Sequence, residues 1–298
     1  FAFQLSLSQR NQPITLEVPV SIVQFVDPIA FFSKVLNSIQ IPPQLLRMIQ
    51  NLKEYAGFIT SKTTYTDNYN SEFHYHENPH LSFILHGGNY EYKKSQKSVK
   101  SSGDVLFYHS GELHKTIPTN EQTKNLNLEI DTHFLKENDL SEAALKNVVD
   151  NSFNSRLFML KVHSELQLND TITEKAIQVV LLDFLNNVKT TNYQVVKWLY
   201  ELRDILNDEW NINHSLSELS VRLGIHPVTI SKNFSKYFGC SYGDYVRKLR
   251  IDRSLTLIKN TNCSLTEIAL LCGFADQSHF IRVFKTFTGL NPKYFQKL

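Results

Sequence analysis

Cysteine is scarce in this chain and poorly placed for any covalent framework. The three residues, Cys240, Cys263 and Cys272, form no close C-x-x-C pair, and their odd number excludes a fully paired disulfide scaffold or a zinc knuckle. They read as small buried residues of a reduced compartment. Long apolar runs are missing as well: none approaches the ~20 residues of a membrane-spanning helix. No basic stretch leads into an apolar segment and a small-residue cleavage site at the N-terminus, so the expectation is a cytoplasmic protein with no membrane partner. A strong excess of one charge is also lacking, since the net charge is only +2. That small sum hides an uneven spread. From Val195 onward 14 Lys and Arg stand against 9 Asp and Glu, a balance of +5, while the remainder carries −3. A basic tail on an acidic body suits a nucleic-acid partner for one end only.

What is present is enough for packed cores: 298 residues, 42% of them hydrophobic, which suggests two domains. The C-terminal part contains an internal repeat. S-L-S-E-L-S-V-R-L-G-I at Ser215–Ile225 matches S-L-T-E-I-A-L-L-C-G-F at Ser264–Phe274. Each copy opens with the elements of a capping box, Ser215 with Glu218 and Ser264 with Glu267. Leu216, Leu219 and Leu223, and likewise Leu265, Ile268 and Leu271, follow at helical spacing. Gly224 and Gly273 then supply the left-handed residue of a sharp turn. A second helix follows in each copy, opened by Pro227 in the first. Ile230 and Phe234 align there with Phe280 and Phe284, and Lys232 aligns with Arg282. Helix, glycine turn and basic helix make a helix-turn-helix, here in tandem. Between the units, Tyr245, Leu249 and Leu255 predict one face of a connecting helix, with Arg247, Lys248, Arg250 and Arg253 exposed. Such a helix can hold two recognition helices ~34 Å apart, one DNA turn. Lys197–Trp210 predicts the domain's first helix, with Trp198, Leu202, Ile205 and Leu206 inward.

Together with Y-V-R-K-L-R-I-D-R and G-L-N-P-K-Y-F, these motifs resemble the AraC/XylS family of bacterial transcription regulators over residues 195–298. The resemblance implies a DNA-binding domain of seven helices whose second helix in each unit reads bases. It implies contacts from Val228, Ser231 and Lys232 in the first unit and from Gln277, Ser278, Ile281 and Arg282 in the second. The chemistry agrees: Arg282 and Lys232 can bond guanine or phosphate, Gln277 can pair with adenine, and Val228 and Ile281 offer apolar contact to a thymine methyl.

The N-terminal part reads differently. From Phe58 to Ile130, short β-branched or aromatic runs, among them L-S-F-I-L, D-V-L-F-Y and L-N-L-E-I, predict strands of a sandwich or barrel. Six of the 11 histidines lie here: His74, His76, His80, His86, His109 and His114. His74 and His76 share one strand face by alternation. The spacing H-Y-H, His80, Gly87, followed by Gly103, His109 and His114, resembles the two cupin motifs over residues 55–135. Two positions depart from that pattern: His80 stands where metal-binding cupins carry Glu, and His109 where they carry Pro. The resemblance implies that His74, His76, His80 and His114 line the barrel, either to bond a small-molecule effector or to hold a divalent transition metal, and the sequence leaves that choice open. His86 and His109 are expected to point elsewhere or to end strands. Glu72, Glu77 and Glu91 are the carboxylates in view, none with a catalytic motif.

Pro42–Tyr55 predicts a short helix. Residues 139–190 are helical in pattern, with Thr171 and Glu174 as a capping box and Ile172, Ile177, Val180, Leu181 and Phe184 as an apolar stripe for a dimer contact or a cap under the barrel. Lys189–Gln194 reads as the linker.

The expected architecture is thus an α+β multidomain chain. A cupin-like β-barrel (double-stranded β-helix) occupies 1–138, a helical linker 139–190 and an all-α domain with two helix-turn-helix units 191–298. The expected function is a sequence-specific, non-enzymatic transcription regulator, homodimeric, with promoter DNA, a small-molecule effector and RNA polymerase as partners. The alternative is a cupin metalloenzyme fused to a DNA-binding domain.

Overall fold

The computed structural model describes residues 3–9, 12–18, 48–65, 69, 72–93, 96–119, 122–151, 154–189 and 197–298. Strands β1 (Phe3–Gln9) and β2 (Gln12–Val18) form an antiparallel hairpin. Eight more strands follow: β3 (Ile49–Tyr55), β4 (Phe58–Thr64), β5 (His80–His86), β6 (Gly88–Lys93), β7 (Gln96–Ser101), β8 (Val105–Tyr108), β9 (His114–Pro118) and β10 (Lys124–Ile130). They make a five-stranded sheet, β3-β4-β10-β5-β8, and a three-stranded one, β7-β6-β9. Every described pairing is antiparallel.

The large sheet has two unlike faces. Register pairs Leu81 with Leu128 and Phe83 with Leu126, and these join Phe58 and Phe107 in a core covered by helices. On the other face His80 lies opposite Glu129 and Tyr108, and Ser82 opposite Asn127. There Ser82 Oγ donates to Asn127 Oδ1 at 2.9 Å, and Asn127 Nδ2 donates to Thr63 Oγ1 at 2.9 Å. An amide and hydroxyl ladder thus lines a face that an ordinary sandwich fills with apolar side chains.

Helices α1 (Thr132–Glu137), α2 (Glu142–Asn151), α3 (Asn154–Leu168) and α4 (Thr173–Lys189) come next, then α5 (Lys197–Asp208), α6 (Leu216–Leu223), α7 (Pro227–Phe238), α8 (Tyr242–Asn260), α9 (Leu265–Leu271), α10 (Gln277–Thr288) and α11 (Pro292–Lys297). From α5 on there are the seven helices expected.

Several local expectations need correction. Ile49–Tyr55 is a strand, not the end of a helix, because it pairs with β4 around a turn at Gly57; residues 42–47 lie outside the described residues. The turn before α4 is closed by Asp170, whose carboxylate accepts from the Ile172 amide at 3.1 Å and the Thr173 hydroxyl at 3.0 Å, rather than by Thr171 and Glu174. Ile172 is 64% exposed and leaves the buried stripe to Ile177, Leu181 and Phe184, with Val180 half-buried. In α5, Leu199, Leu202 and Leu206 are buried, with Trp198 and Ile205 packed beside that core. The linker beyond Lys189 lies outside the described residues.

Candidate functional sites: a duplicated helix-turn-helix and a histidine cluster

Both repeats form capping boxes. The Ser215 and Ser264 hydroxyls accept from the amides of Glu218 and Glu267, whose carboxylates accept in return from the two serine amides at 2.7 Å. Gly224 (φ +65°) and Gly273 (φ +72°) make the left-handed turns. His226 caps α7 through Nδ1, with Pro227 beginning the helix. Asp276 caps α10 by accepting from the His279 amide at 2.7 Å. Ile230 and Phe234, and Phe280 and Phe284, are fully buried. This seats each second helix by one face and turns the opposite face outward.

Five of the seven residues named from the sequence are exposed on these helices, among other exposed side chains. Val228, Ser231 and Lys232 are exposed on α7, and Ser278 and Arg282 on α10. Gln277 is half-buried, its Oε1 accepting from Thr266 Oγ1 at 2.9 Å, and Ile281 leans on the core. His279 sets its ring edge-on against Phe274, a packing role.

The basic face of the connecting helix α8 is smaller than expected. Arg253 is exposed and Arg247 and Lys248 are half-buried, but Arg250 is buried. Its guanidinium donates to the carbonyls of Trp210 (3.1 Å), Ile212 (3.1 Å) and Gly273 (2.7 Å) and to Asn213 Oδ1 (2.8 Å). The charge faces inward because those carbonyls, at loops with no helical partner, require a donor.

A family model described as a helix-turn-helix domain matches residues 219–298. The C-terminal region is a helix-turn-helix domain. This chain is 35% identical over 78 residues to the HTH-type transcriptional regulator GbdR of Pseudomonas aeruginosa, a match spanning 26% of this chain and 21% of that relative. A longer match, 21% identical over 279 residues, covers 83% of this chain and 96% of the HTH-type transcriptional activator RhaR of Mannheimia succiniciproducens. Among solved structures, a transcriptional regulator with an AraC-type DNA-binding domain from Chromobacterium violaceum is 22% identical, covering 34% of this chain and 89% of its own, at a TM-score of 0.33. This chain therefore spans about a fifth of GbdR's length.

The second site lies on the inner side of the β region, ahead of the helix-turn-helix domain. His74, which lies outside the named strands, and His114, the first residue of β9, exchange backbone hydrogen bonds of 2.9 Å in both directions. Their rings lie 4.3 Å apart, and His76 lies 5.6 Å from His74 and 5.3 Å from His114. His80 packs on His76 at 4.1 Å, and Tyr108 stacks on His114 at 3.9 Å. All four histidines are buried. They form two overlapping groups that share His76: His74, His76 and His114, and His76, His80 and Glu129. Within each group the ligand atoms lie within 4.8 Å of one another.

Each ring of the first group is held by Nδ1. His74 meets the Glu72 carbonyl at 3.1 Å, His114 the Glu112 carbonyl at 2.9 Å, and His76 the Glu129 carboxylate at 3.0 Å. An oxygen acceptor fixes the proton on Nδ1 and leaves Nε2 with a free lone pair. Burial, the largest cause, lowers the pKa of all four rings, to about 3 for His76 and His80, so the imidazoles are neutral. Both ring nitrogens of His80 are buried, with the Asn127 side chain as the polar neighbour acting on the ring.

His86 ends β5 exposed, and His109 follows β8 and meets Glu142 at 3.1 Å, so neither joins the cluster. Glu72 contributes its carbonyl. Glu91 lies on β6, accepting from Thr116 Oγ1 at 2.9 Å, with its carboxyl raised to about 7 chiefly by burial. Glu129, not singled out from the sequence, supplies the carboxylate at the histidines. Its signal was the alternation in L-N-L-E-I, which puts Asn127 and Glu129 on one face and Leu128 and Ile130 on the other.

Proposed function

We propose that the chain is a sequence-specific DNA-binding transcription regulator of AraC/XylS type, with α7 and α10 entering adjacent major grooves. The supporting observation is the duplication itself: two capped helix-turn-helix units, each burying one face of its second helix and exposing Ser231 and Lys232 or Ser278 and Arg282 on the other. Helix α8, 19 residues long, spans ~28 Å at 1.5 Å per residue. That length suits recognition helices one turn of DNA apart. Enrichment of random duplexes on the purified chain tests this reading. The expected product is a two-part site with half-sites 10–11 base pairs apart; no enrichment over an Arg282→Ala, Lys232→Ala variant overturns it.

The β region is the sensing part, a cupin-like sandwich whose polar inner face takes a small ligand. Its histidines fit a divalent transition metal: three neutral imidazoles converge, each with its second nitrogen anchored on oxygen, the arrangement that orients histidine ligands. His74, His76 and His114 would hold the ion through Nε2. The ion would supply positive charge and open coordination positions for an effector oxygen or nitrogen. Glu129 holds the His76 ring, and His80 offers a further nitrogen. The homodimer implied by the family resemblance would use the outer face of α4, where Val179 and Leu182 are exposed. Elemental mass spectrometry of untagged protein tests the metal. About one equivalent, lost in His74→Ala/His114→Ala, is expected; none in either protein assigns the histidines to an organic effector alone.

A further inference from the structure

One hydrophobic core runs from the outer face of the large sheet through α2, α3 and α4 into α8 and on through α9–α11, whereas the first helix-turn-helix unit closes a core of its own. The two DNA-reading units are therefore attached to the β region in unequal ways. The polar seam of the larger body lies at Arg156 on α3. Its Nη2 lies 3.5 Å from Asp104 Oδ1, in the turn between β7 and β8. Its Nη1 lies 3.6 Å from Asp252 Oδ1 and donates to Thr256 Oγ1 at 3.4 Å, both on α8. Asp252 is 7% exposed. Burial raises its carboxyl pKa, and Arg156 opposes that rise first, Arg253 second. A carboxylate in this position depends on an opposite charge.

Asp104 is itself firmly placed. Its carboxylate accepts from the Ser101 amide at 2.9 Å and its carbonyl from the Ile84 amide at 3.0 Å. It leads into β8, which ends in Tyr108, stacked on His114. Further along α3, the Ser164 hydroxyl donates to the Gly289 carbonyl at 3.1 Å, just beyond α10. Gly289 has φ +76°, and a Cβ there would lie 2.6 Å from Ser164 Cβ, so only glycine permits the contact.

We propose that Arg156, together with the Ser164–Gly289 contact, clamps the second helix-turn-helix unit to the β region, so that the state of the histidine site reaches DNA through the second unit while the first follows only through α8 and Arg250. The clamp stands on the contacts alone; its role in transmission rests on the sensing function proposed above. Both sites respond to a shift of α3 because each side of the clamp is a packed element with few intermediate positions.

Hydrogen exchange on the full chain tests the clamp with Arg156→Gln, Asp252→Asn and the double variant. The double variant removes the uncompensated carboxylate that Arg156→Gln alone leaves buried, so it retains the fold. Exchange at residues 252–256 and 287–290 is expected to quicken at least ~10-fold in it, with α6, α7 and the histidine strands unchanged. A folded double variant with wild-type protection there overturns the clamp. Gel-shift titration with and without saturating Zn²⁺ tests transmission. A Zn²⁺-dependent change in DNA affinity that the double variant loses supports it, and one that the double variant keeps overturns it. No Zn²⁺ effect in the unaltered chain, with the exchange result as expected, overturns the metal-sensing role and the transmission while the clamp stands.

Discussion

The guanidinium of Arg250 donates to the Gly273 carbonyl across 2.7 Å, joining the middle of α8 to the turn of the second unit. The same group holds Trp210, Ile212 and Asn213, in the loop that leads into the first unit. One side chain thus bonds to both halves of the domain. Gly273 completes the fit, since a Cβ there would meet the Asn211 carbonyl at 2.5 Å and the Arg250 guanidinium at 3.0 Å.

Arg250→Ala is therefore expected to cost ~3 kcal/mol, because it leaves buried carbonyls without a donor. Arg250→Lys should recover little, since an ammonium cannot reproduce the planar fork. Urea unfolding measures the first effect. Gel shifts on full and half sites measure a second: affinity for the full site should fall more than for either half. Equal losses would mean that Arg250 does not set the geometry between the units.

Arg282→Ala should lower affinity for the selected site by ~1–3 kcal/mol and relax preference at one base pair. Lys232→Ala, if it meets phosphate, should weaken all sequences alike and reduce the salt slope by about one. Binding isotherms at several salt concentrations separate the two. A Lys232→Ala variant with an unchanged slope removes that residue from the phosphate contacts.

Much of the helix-turn-helix domain was legible in the sequence because it depends on local chemistry. Caps, turn glycines and the four-residue spacing of Ile230 with Phe234 are set within a few residues of one another. Arg250 was not legible, since its partners lie 23 to 40 residues away and an arginine on a helix ordinarily reads as solvated. At the histidine site, alternation joined His74 to His76, and the resemblance to the cupin motifs added His80 and His114. Glu129, 53 residues from His76, required knowledge of which strand lies beside β5. The strand β3 was misread for a similar reason: its pattern fits a helix alone, and pairing with β4 overrides it.

Glu267→Ala removes one half of a capping box on an exposed helix end, where the Glu267 carboxyl is held below its usual range first by the Ser264 amide. The expected result is a lower melting midpoint, because the Ser264 amide loses its acceptor. Ser264→Ala should cost about the same, and the double variant less than the sum, because the two bonds are reciprocal. Thermal or urea melts decide; strict additivity would mean that the two bonds act independently.

Glu129→Gln keeps the size of the side chain but replaces the carboxylate behind His76 Nδ1 with an amide. Loss of such a partner is expected to weaken metal binding ~10–100-fold without unfolding the sheet. Competition with a chromophoric chelator, beside circular dichroism, gives both quantities. Unchanged Zn²⁺ affinity in a folded variant would show that the carboxylate does not orient the ring.

His163 gives the protein a pH dependence that can be assigned to one residue. It is buried in α3, neither ring nitrogen has a hydrogen-bond partner among the described residues, and Tyr294 stacks nearby at 6.5 Å. Burial first, and the Lys62 charge second, lower its pKa from 6.5 to about 3. In that interval the unfolded chain holds a proton that the folded chain does not, so stability rises with pH. The contribution is complete above 6.5 and is lost as pH falls toward 3, at up to ~1.4 kcal/mol per pH unit. The buried histidines of the β region act in the same direction, so the informative quantity is the difference between the chain and His163→Leu. The unfolding free energy from urea titration should fall by up to that slope more for the unaltered chain than for His163→Leu as pH drops from 6 to 4.5; a constant difference between the two would mean that His163 takes up its proton in the folded chain as readily as in the unfolded one.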